Sequence, residues 1–244
     1  MNALLDRATV SGVDDAIAID DLVELDAAFP FVEFGILLSG HRAGSPRYPS
    51  KRWLDGLAEI APYCPLRLSA HLCGRWAAMA CEGDWSFTNS LPWGDLNVQR
   101  VQINFPRSPG DLDAGRFFDG LRRHAPTRQC IFQVDKIDDW LVTAARKADI
   151  DAVPLYDVSR GGGSSPDRWP EPLDGIYCGY AGGIDPDNAR DEARKIEHVA
   201  SGPFWIDAES GLREAQRDQL DLDRVRAYLE AAAEHLRSAS PSAP

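Results

Sequence analysis

The sequence predicts a single-domain α/β protein folded as an eight-stranded (β/α)₈ TIM barrel, and two observations support this prediction. Eight short apolar segments alternate with amphipathic segments along most of the chain. The length of 244 residues is close to the roughly 250 residues typical of such barrels. A doubly wound open sheet is the main alternative, but it normally carries a glycine fingerprint in its first βα turn. Here the glycine clusters come late in the chain.

The predicted strands are short and rich in Val, Ile, Leu, Phe or Tyr, as buried parallel strands are. They are Ala8–Ser11, Val32–Ser39, Leu66–His71, Val98–Asn104, Gln129–Val134, Ala152–Asp157, Gly175–Tyr180 and Pro203–Asp207. In a barrel of this kind, the carboxyl ends of all the strands meet on one face and form the active site. Polar residues at these strand ends are therefore the first candidates for function.

A helix is predicted after nearly every strand, because apolar residues recur at helical spacing between charged residues. The segments are AIDDLVELDAAF, KRWLDGLAEIA, CGRWAAMACEG, DLDAGRFFDGLRRHA, KIDDWLVTAARKA, DNARDEARKIEHVA and DLDRVRAYLEAAAEHL. The third has the weakest helical pattern, and SSPDRWPEP after strand six leaves room for one turn at most. The barrel is expected to span residues 1–237, with an insertion near 84–97 and a disordered tail over 238–244.

Charge and cysteine content limit the function classes. The formal net charge of −12 argues against a nucleic-acid partner, because such a partner requires a cationic surface. It argues equally against binding to an anionic membrane. The five cysteines are scattered and include no C-x-x-C pair, so we expect a reducing, cytoplasmic location without a disulfide framework or a metal site.

Small residues follow the last two predicted strands. Gly182 and Gly183 come just after strand seven, and Ser210 and Gly211 just after strand eight. In (β/α)₈ barrels, the loops after these two strands often hold a phosphate through their backbone N–H groups. Ordinary βα turns would also contain glycine, but two such loops at neighbouring strands favour a phosphorylated small-molecule substrate.

The same stretch resembles the phosphoribosylanthranilate isomerase family. LYDVSRGGGSSPDRW is similar to the family's strand-six Asp followed by a glycine turn, and AGGIDPDN to its Gly-Gly-x-x-Pro-x-Asn pattern. IDAESGLRE approximates the Asp-x-Ser-Ser-Gly-x-Glu pattern after strand eight, and SPRYPS the turn after strand two. The resemblance is strongest from Asp157 to Gly211. It implies an Amadori-type isomerisation of a phosphorylated aminosugar, without a metal or an organic cofactor.

Residue by residue, the resemblance assigns four roles. Asp157 would protonate the furanose ring oxygen, and Arg47 would bind a carboxylate of an anthranilate-like group. Backbone amides around Gly182, Gly183, Ser210 and Gly211 would hold the phosphate. The family's general base is a cysteine at the end of strand one, and the matching residue here is Ser11.

Ser11 is a departure from the family, because a neutral hydroxyl is a far weaker base than a thiolate. Asp14 lies in the same loop and is one candidate for the missing base. His71, at the end of strand three, is another, since an unperturbed histidine titrates near neutral pH. A histidine hydrogen-bonded at the rim of the barrel is the structural alternative.

Three hypotheses remain open on this sequence. The first is an isomerase close to phosphoribosylanthranilate isomerase in chemistry. The second is a barrel lyase or epimerase that acts on a different sugar phosphate or nucleotide. The third is a non-catalytic protein that binds a phosphorylated ligand. A barrel fold alone does not choose among them, and the sequence indicates no oligomeric state.

Overall fold

The computed structural model describes residues 4–106, 109–134, 140–157, 164–173 and 175–239, and its fold confirms the predicted (β/α)₈ barrel. Eight parallel strands form a closed sheet in sequential order, and β1 pairs with β8. The strands are β1 Leu5–Ser11, β2 Val32–Leu38, β3 Leu68–Leu72, β4 Arg100–Ile103, β5 Gln129–Val134, β6 Ala152–Asp157, β7 Cys178–Ala181 and β8 Phe204–Ala208.

Seven helices surround the barrel within the described ranges. They are α1 Ile19–Ala28, α2 Lys51–Ile60, α3 Gly74–Cys81, α4 Ala114–His124, α5 Trp140–Lys147, α6 Ala189–Val199 and α7 Leu222–Ala239. Side chains cap several helix N-termini: Ser50 accepts from the Trp53 amide of α2, Asp113 from the Arg116 amide of α4, and Asp221 from the Arg224 amide of α7. None of the helices in the described ranges is long and apolar enough to cross a membrane.

Several element boundaries differ from the prediction. β5 and β6 coincide with their predicted ranges, whereas β7 begins three residues later than predicted, at Cys178. The sixth βα unit carries no helix in its described part, in line with the single turn allowed by its prolines. Helix α7 continues through Ala239, two residues into the predicted tail, and residues 240–244 lie outside the described chain.

A short hairpin that was not predicted follows β8. A 3₁₀ turn over Ser210–Leu212 leads into β9 (Arg213–Glu214), which pairs with β10 (Gln219–Leu220) before α7 begins. Two-residue strands are too short to produce an alternating pattern that a sequence reader would recognise. The hairpin matters because its residues reach the loops after β1 and β2.

The region predicted as an insertion packs against α4 through aromatic rings. Trp85 stacks on Phe87 and on His124, with ring centroids 5.5 Å and 5.8 Å apart. Space for Trp85 exists because α4 has Gly120 at the contact, where a Cβ would lie 2.8 Å from the indole nitrogen. Residues 84–97 therefore form a packed loop that contains a 3₁₀ helix over Ser86–Ser90.

The main core lies between the strands and the helices, whereas the barrel lumen has a smaller apolar cluster of its own. The lumen cluster consists of Ile131, Val153, Leu155, Ala181 and Trp205. Trp205 fits inside because Gly179 on the neighbouring strand has no side chain: a Cβ there would lie 2.1 Å from the indole ring. The rest of the lumen is polar.

Toward the amino ends of the strands, the lumen holds an ion cluster, here called the lower lumen, made of Arg7, Thr9, Glu33 and Arg100. The Glu33 carboxylate accepts from Arg7 at 3.0 Å, Arg100 at 2.9 Å and Thr9 at 3.0 Å. Burial alone would raise the pKa of Glu33, but the two guanidinium groups hold it below its ordinary value. The Arg100 guanidinium also lies 4.1 Å above the centre of the Trp205 ring.

Candidate active site

A cavity of about 260 Å³ opens at the carboxyl ends of strands β3 to β8. This is the face on which barrel enzymes place their active sites. Its polar lining residues are His71, Cys73, Gln102, Asn104, Gln133, Asp157, Asp207, Glu209 and Ser210. Backbone of Gly182, Gly183 and Gly211 completes the wall formed by the β7 and β8 loops.

The structure brings most of the predicted site residues to this cavity. Those that line it directly are Asp157, His71, Gly182, Gly183, Ser210 and Gly211. Ser11 lies beside the cavity, because its hydroxyl contacts the lining residue Asp207. Asp14 and Arg47 are not among the lining residues and form contacts of a different kind.

Ser11 and Asp207 form a buried pair at the floor of the cavity. The Ser11 Oγ donates to Asp207 Oδ1 at 2.6 Å, and the Asp207 side chain is only 7 % exposed. Burial raises the pKa of Asp207 to about 8, and the carboxylates of Glu209, Glu33 and Asp157 add to the rise against the opposing Ser11 hydrogen bond. Asp207 therefore keeps its proton at neutral pH and can donate it.

Asp157 faces the same cavity from two strands away. Its Oδ2 accepts a hydrogen bond from Gln133 Nε2 at 2.7 Å. In the sheet register, Asp157 pairs with Ala181, which in turn pairs with Asp207. Two strand spacings separate the backbones of the two acids by about 10 Å, so a small substrate can sit between their side chains.

His71 is buried at the end of β3, with its ring close to Ser11. A Cβ added to Gly35 would lie 2.5 Å from Ser11 Oγ and 2.9 Å from His71 Cε1, so these two side chains converge above Gly35. Burial lowers the pKa of His71 to about 4, and the imidazole is therefore neutral at physiological pH. Its Nε2 is buried and makes no hydrogen bond to any described residue.

Asp14 joins loops together rather than facing the cavity. Its Oδ2 accepts from the Arg47 amide at 2.6 Å and from Arg213 at 2.7 Å, and its Oδ1 accepts from the Ala16 amide at 3.0 Å. The carboxylate thus ties the β1 and β2 loops to the hairpin after β8. This geometry favours a structural role for Asp14 over the role of general base.

Arg47 spans the rim from the β2 loop to the β8 loop. Its side chain donates to Glu209 at 2.6 Å, to Ser210 Oγ at 3.2 Å and to Asp218 of the hairpin at 2.8 Å. The hydrogen bonds to Asp218, together with Glu209, raise the pKa of this guanidinium further. A substrate carboxylate would have to compete with two acidic side chains for Arg47.

The β7 and β8 loops present free backbone donors. Gly182 and Gly183 have φ of 117° and 63°, and a Cβ on Gly183 would lie 2.2 Å from the Ser165 amide nitrogen. Among the contacts of the described residues, the amides of Gly182, Gly183, Ser210 and Gly211 have no acceptor. Such a group of N–H donors suits an anion.

Several residues at the site were not predicted as functional. Asp207 was named only as the last residue of predicted strand eight, while Gln102, Gln133 and Glu209 were not singled out. Their common signal is a polar residue at a position that alternates with apolar residues in or just after a buried strand. The strand-end residues Asp135 and Lys136 and the glycine turn at 158–163 lie outside the described chain.

Comparison with solved structures shows the fold. The chain is similar to phosphoribosyl anthranilate isomerase from Thermus thermophilus, at 18 % identity and a TM-score of 0.59 over 93 % of this chain and 98 % of that one. It is also similar to the isomerase of Thermotoga maritima, at 13 % identity and a TM-score of 0.55 over 94 % and 100 % of the two chains. No family model and no curated protein matches the sequence.

The same barrel is shared with an enzyme of another name. Phospho-2-dehydro-3-deoxyheptonate aldolase from Thermotoga maritima aligns at 10 % identity and a TM-score of 0.55, over 97 % of this chain and 70 % of that one. At such low identities, the likeness establishes the (β/α)₈ barrel and leaves the chemistry to the site.

Proposed function

We propose that this protein is an acid/base isomerase of the phosphoribosylanthranilate isomerase type, acting on a phosphorylated aminosugar. One observation carries the proposal: two carboxyl groups, Asp157 and Asp207, face one cavity, and one of them holds its proton to a pKa of about 8. An Amadori rearrangement needs one group that donates a proton and one that accepts a proton. The free backbone amides of the β7 and β8 loops would bind the phosphate of the substrate.

The reaction assigns a task to each carboxyl group. Asp207 protonates the furanose ring oxygen, the bond from that oxygen to C1 breaks, and an iminium forms. Asp157 then removes the proton from C2, and the electron pair of that C–H bond neutralises the iminium to give an enolamine. Tautomerisation yields the ketoamine. The family resemblance gives the acid role to Asp157, whereas the protonated state of Asp207 and the Gln133 hydrogen bond to Asp157 support the reverse.

The Asp207 carboxyl also gives Ser11 a role that does not require a thiolate. A thiol ordinarily titrates near 8.5, and the pKa of Asp207 is about 8. A second titrating group of similar pKa therefore lies 2.6 Å from the hydroxyl that replaces the thiol. Ser11 acts as a positioning residue, because its O–H donates to Oδ1 and leaves Oδ2 for the substrate.

The test is turnover of freshly generated phosphoribosylanthranilate, followed by the loss of its fluorescence, across pH 6 to 9.5. Both Asp157→Asn and Asp207→Asn should reduce kcat/KM by at least ~100-fold, in the range of general acid–base effects. Asp119→Asn, an exposed change on α4, is the control. In the wild type, kcat/KM should fall above pH 8 as Asp207 loses its proton.

A rise of kcat/KM through pH 8 would instead make Asp207 the base and restore the acid role to Asp157. If the wild type does not turn over phosphoribosylanthranilate, this compound is excluded as the substrate.

The second candidate function, a lyase or epimerase acting on another sugar phosphate, is favoured by one observation: Glu209 and Asp218 already occupy the guanidinium of Arg47. This second function predicts that the protein binds sugar phosphates and that adding an anthranilate group to them does not change their affinity.

A further inference from the structure

The cavity has a second polar wall, away from the phosphate loops. It is formed by four side chains on β3 and β4 and the residues that follow them: His71, Cys73, Gln102 and Asn104. We call these four residues the amide wall. If the proposed function holds, the β7 and β8 loops take the phosphate and the amide wall faces the other end of the substrate.

Hydrogen bonds within the amide wall run in one direction. The Cys73 thiol donates to the His71 carbonyl, so its sulfur accepts from Asn104 Nδ2 at 3.2 Å. The Asn104 Oδ1 in turn accepts from Gln102 Nε2 at 2.8 Å. Burial raises the pKa of Cys73 to about 11, which keeps the thiol protonated. The chain of donors therefore begins at Gln102 and ends at the His71 carbonyl, so the Gln102 amide nitrogen is used within the wall and its Oε1 is not.

Two polar atoms of the wall have no partner among the described residues. Gln102 Oε1 and His71 Nε2 are both buried and make no hydrogen bond within that part of the chain, and they belong to residues only 4 % and 2 % exposed. His71 and Gln102 are direct partners in the β3–β4 register, so one ligand group can reach both. A buried polar atom without a hydrogen bond is costly, and a ligand that supplies the partner removes that cost.

Charge decides which ligand group fits. Three carboxyl groups line the cavity, those of Asp157, Asp207 and Glu209, and its described lining residues include no lysine or arginine. The amide wall itself is uncharged, because His71 is neutral. A carboxylate has no hydrogen to donate to Gln102 Oε1, and the described lining residues offer no cationic side chain to balance its charge. A carboxamide of the same shape donates to Gln102 Oε1 and carries no charge.

We propose that the amide wall selects a substrate whose head group is an uncharged carboxamide rather than the carboxylate of anthranilate. This inference rests on the proposed function for the phosphate end and the reacting carbons. It changes the substrate class to a phosphorylated aminosugar that bears a neutral, hydrogen-donating amide. Discrimination of this kind is strong, because a site built to pair with a donor rejects the analogue that lacks it.

The experiment compares two stable probes that differ only at this group, measured by calorimetry. They are 1-(2-carbamoylphenylamino)-1-deoxyribitol 5-phosphate and its 2-carboxyphenyl counterpart, and neither can isomerise because the sugar is reduced. The wild-type protein should bind the carbamoyl probe at least 10-fold more tightly. In Gln102→Met, which removes the acceptor, that ratio should fall by about 10-fold toward one.

Two further variants isolate the role of the acceptor. Gln102→Glu keeps an acceptor oxygen and should retain the preference for the carbamoyl probe. Gln129→Met changes a glutamine at the opposite end of the barrel, where its side chain donates a hydrogen bond to the exposed Asp151, and should leave the ratio unchanged. Binding of ribitol 5-phosphate, which has no head group, reports that each variant is folded.

The outcomes separate this inference from the proposed function. Equal or tighter binding of the carboxyl probe by the wild type would overturn the carboxamide assignment, as would a preference that survives Gln102→Met. If ribitol 5-phosphate binds but neither head-group probe does, the carboxamide assignment is also overturned, while the phosphate site still stands. Failure of all three probes to bind would refute the phosphate site and the inference together.

Discussion

The two ends of the barrel lumen contain similar residues that serve different purposes. In the lower lumen, Glu33 is buried but is paired with Arg7 and Arg100. At the cavity end, Asp207 is buried with a serine as its hydrogen-bond partner and three other carboxylates raising its pKa. Both carboxyl groups are buried, so the partners decide the protonation state. Charges that are paired hold the barrel together, and groups that lack charged partners are available for chemistry.

Both ends of the lumen contain polar atoms without a hydrogen bond, but their surroundings differ. Two nitrogens of the Arg100 guanidinium make no hydrogen bond to the described residues, but the group rests on the Trp205 ring. By contrast, His71 Nε2 and Gln102 Oε1 border an open cavity. Mutations in the two regions should therefore differ in kind: those in the lower lumen should reduce stability, and those around the cavity should alter proton binding and ligand binding.

The largest expected effect on stability comes from Glu33→Gln. Removing this carboxylate leaves the buried Arg100 without its salt-bridge partner, while Arg7 keeps Asp6, and breaking a buried ion pair from one side typically costs about 3–5 kcal/mol. Urea unfolding at pH 7 would measure the loss. Glu24→Gln, which changes an exposed carboxylate 3.5 Å from Arg226, is the control and should cost less than about 1 kcal/mol. A similar loss in both variants would refute the structural role of the lower lumen.

Asp207→Asn should change how stability depends on pH. The folded-state pKa is raised from 3.8 to about 8, so the folded protein binds the proton more tightly than the unfolded chain does. The contribution of Asp207 to stability is therefore complete below pH 4 and is lost as the pH rises toward 8 and above. Asparagine imitates the neutral acid and does not titrate.

The measurement is the difference in unfolding free energy between Asp207→Asn and wild type at pH 5, 6.5, 8 and 9. That difference should shift in favour of the variant by a few kcal/mol, on the order of 1.4 for each pH unit crossed. A domain of this size gains roughly 2–4 °C in Tm per kcal/mol. Asp119→Asn should show no such trend. A flat difference for Asp207→Asn would mean that the carboxyl group is ionised throughout this pH range.

The fold followed from the sequence because its signals are local. Apolar runs such as Gln129–Val134 and Ala152–Asp157 are bounded by polar residues, and each run coincides with one strand. Because the carboxyl ends of all strands lie on one face of such a barrel, the sequence alone assigns the ends of β6, β7 and β8 to that face. The closeness of Asp157 to the β7 and β8 loops is a consequence of that topology.

The partners of the site residues could not be predicted in the same way. Ser11 and Asp207 are 196 residues apart in the sequence, and no local pattern marks one as the partner of the other. The salt bridge of Asp14 depends on Arg213 in a two-residue strand, which leaves no periodic signal. The acid role of Asp157 and the carboxylate-binding role of Arg47 were assigned from motif positions. The pKa of a carboxyl group and the availability of a guanidinium group depend instead on neighbouring residues in three dimensions.

Gly183→Ala should have an intermediate effect, and the chain provides a matched control. Gly183 combines a φ of 63° with close contact: an added Cβ would lie 2.2 Å from the Ser165 amide nitrogen. Gly175 has a similar φ of 69° but open space around it. Both substitutions carry the backbone penalty of about 1 kcal/mol, and only Gly183→Ala should also displace the loop around Ser165.

Binding of ribitol 5-phosphate by the two glycine variants would distinguish backbone strain from displacement of the anion site. We expect at least a 10-fold loss of affinity for Gly183→Ala and an unchanged affinity for Gly175→Ala. Equal affinities in both variants would show that the β7 loop takes no part in holding the phosphate.

The smallest expected effect concerns the ion pair between Arg47 and Asp218 at the rim. Both side chains are partly exposed, at 27 % and 41 %, so solvent weakens their attraction and the pair should stabilise the fold by about 1 kcal/mol or less. A double-mutant cycle of Arg47→Met and Asp218→Asn in urea would give the coupling energy. That energy should decrease further in 1 M salt, where charges are screened over about 3 Å. A coupling above ~2 kcal/mol that resists salt would instead make this contact part of the rigid frame, and would place Arg47 beyond the reach of any substrate anion.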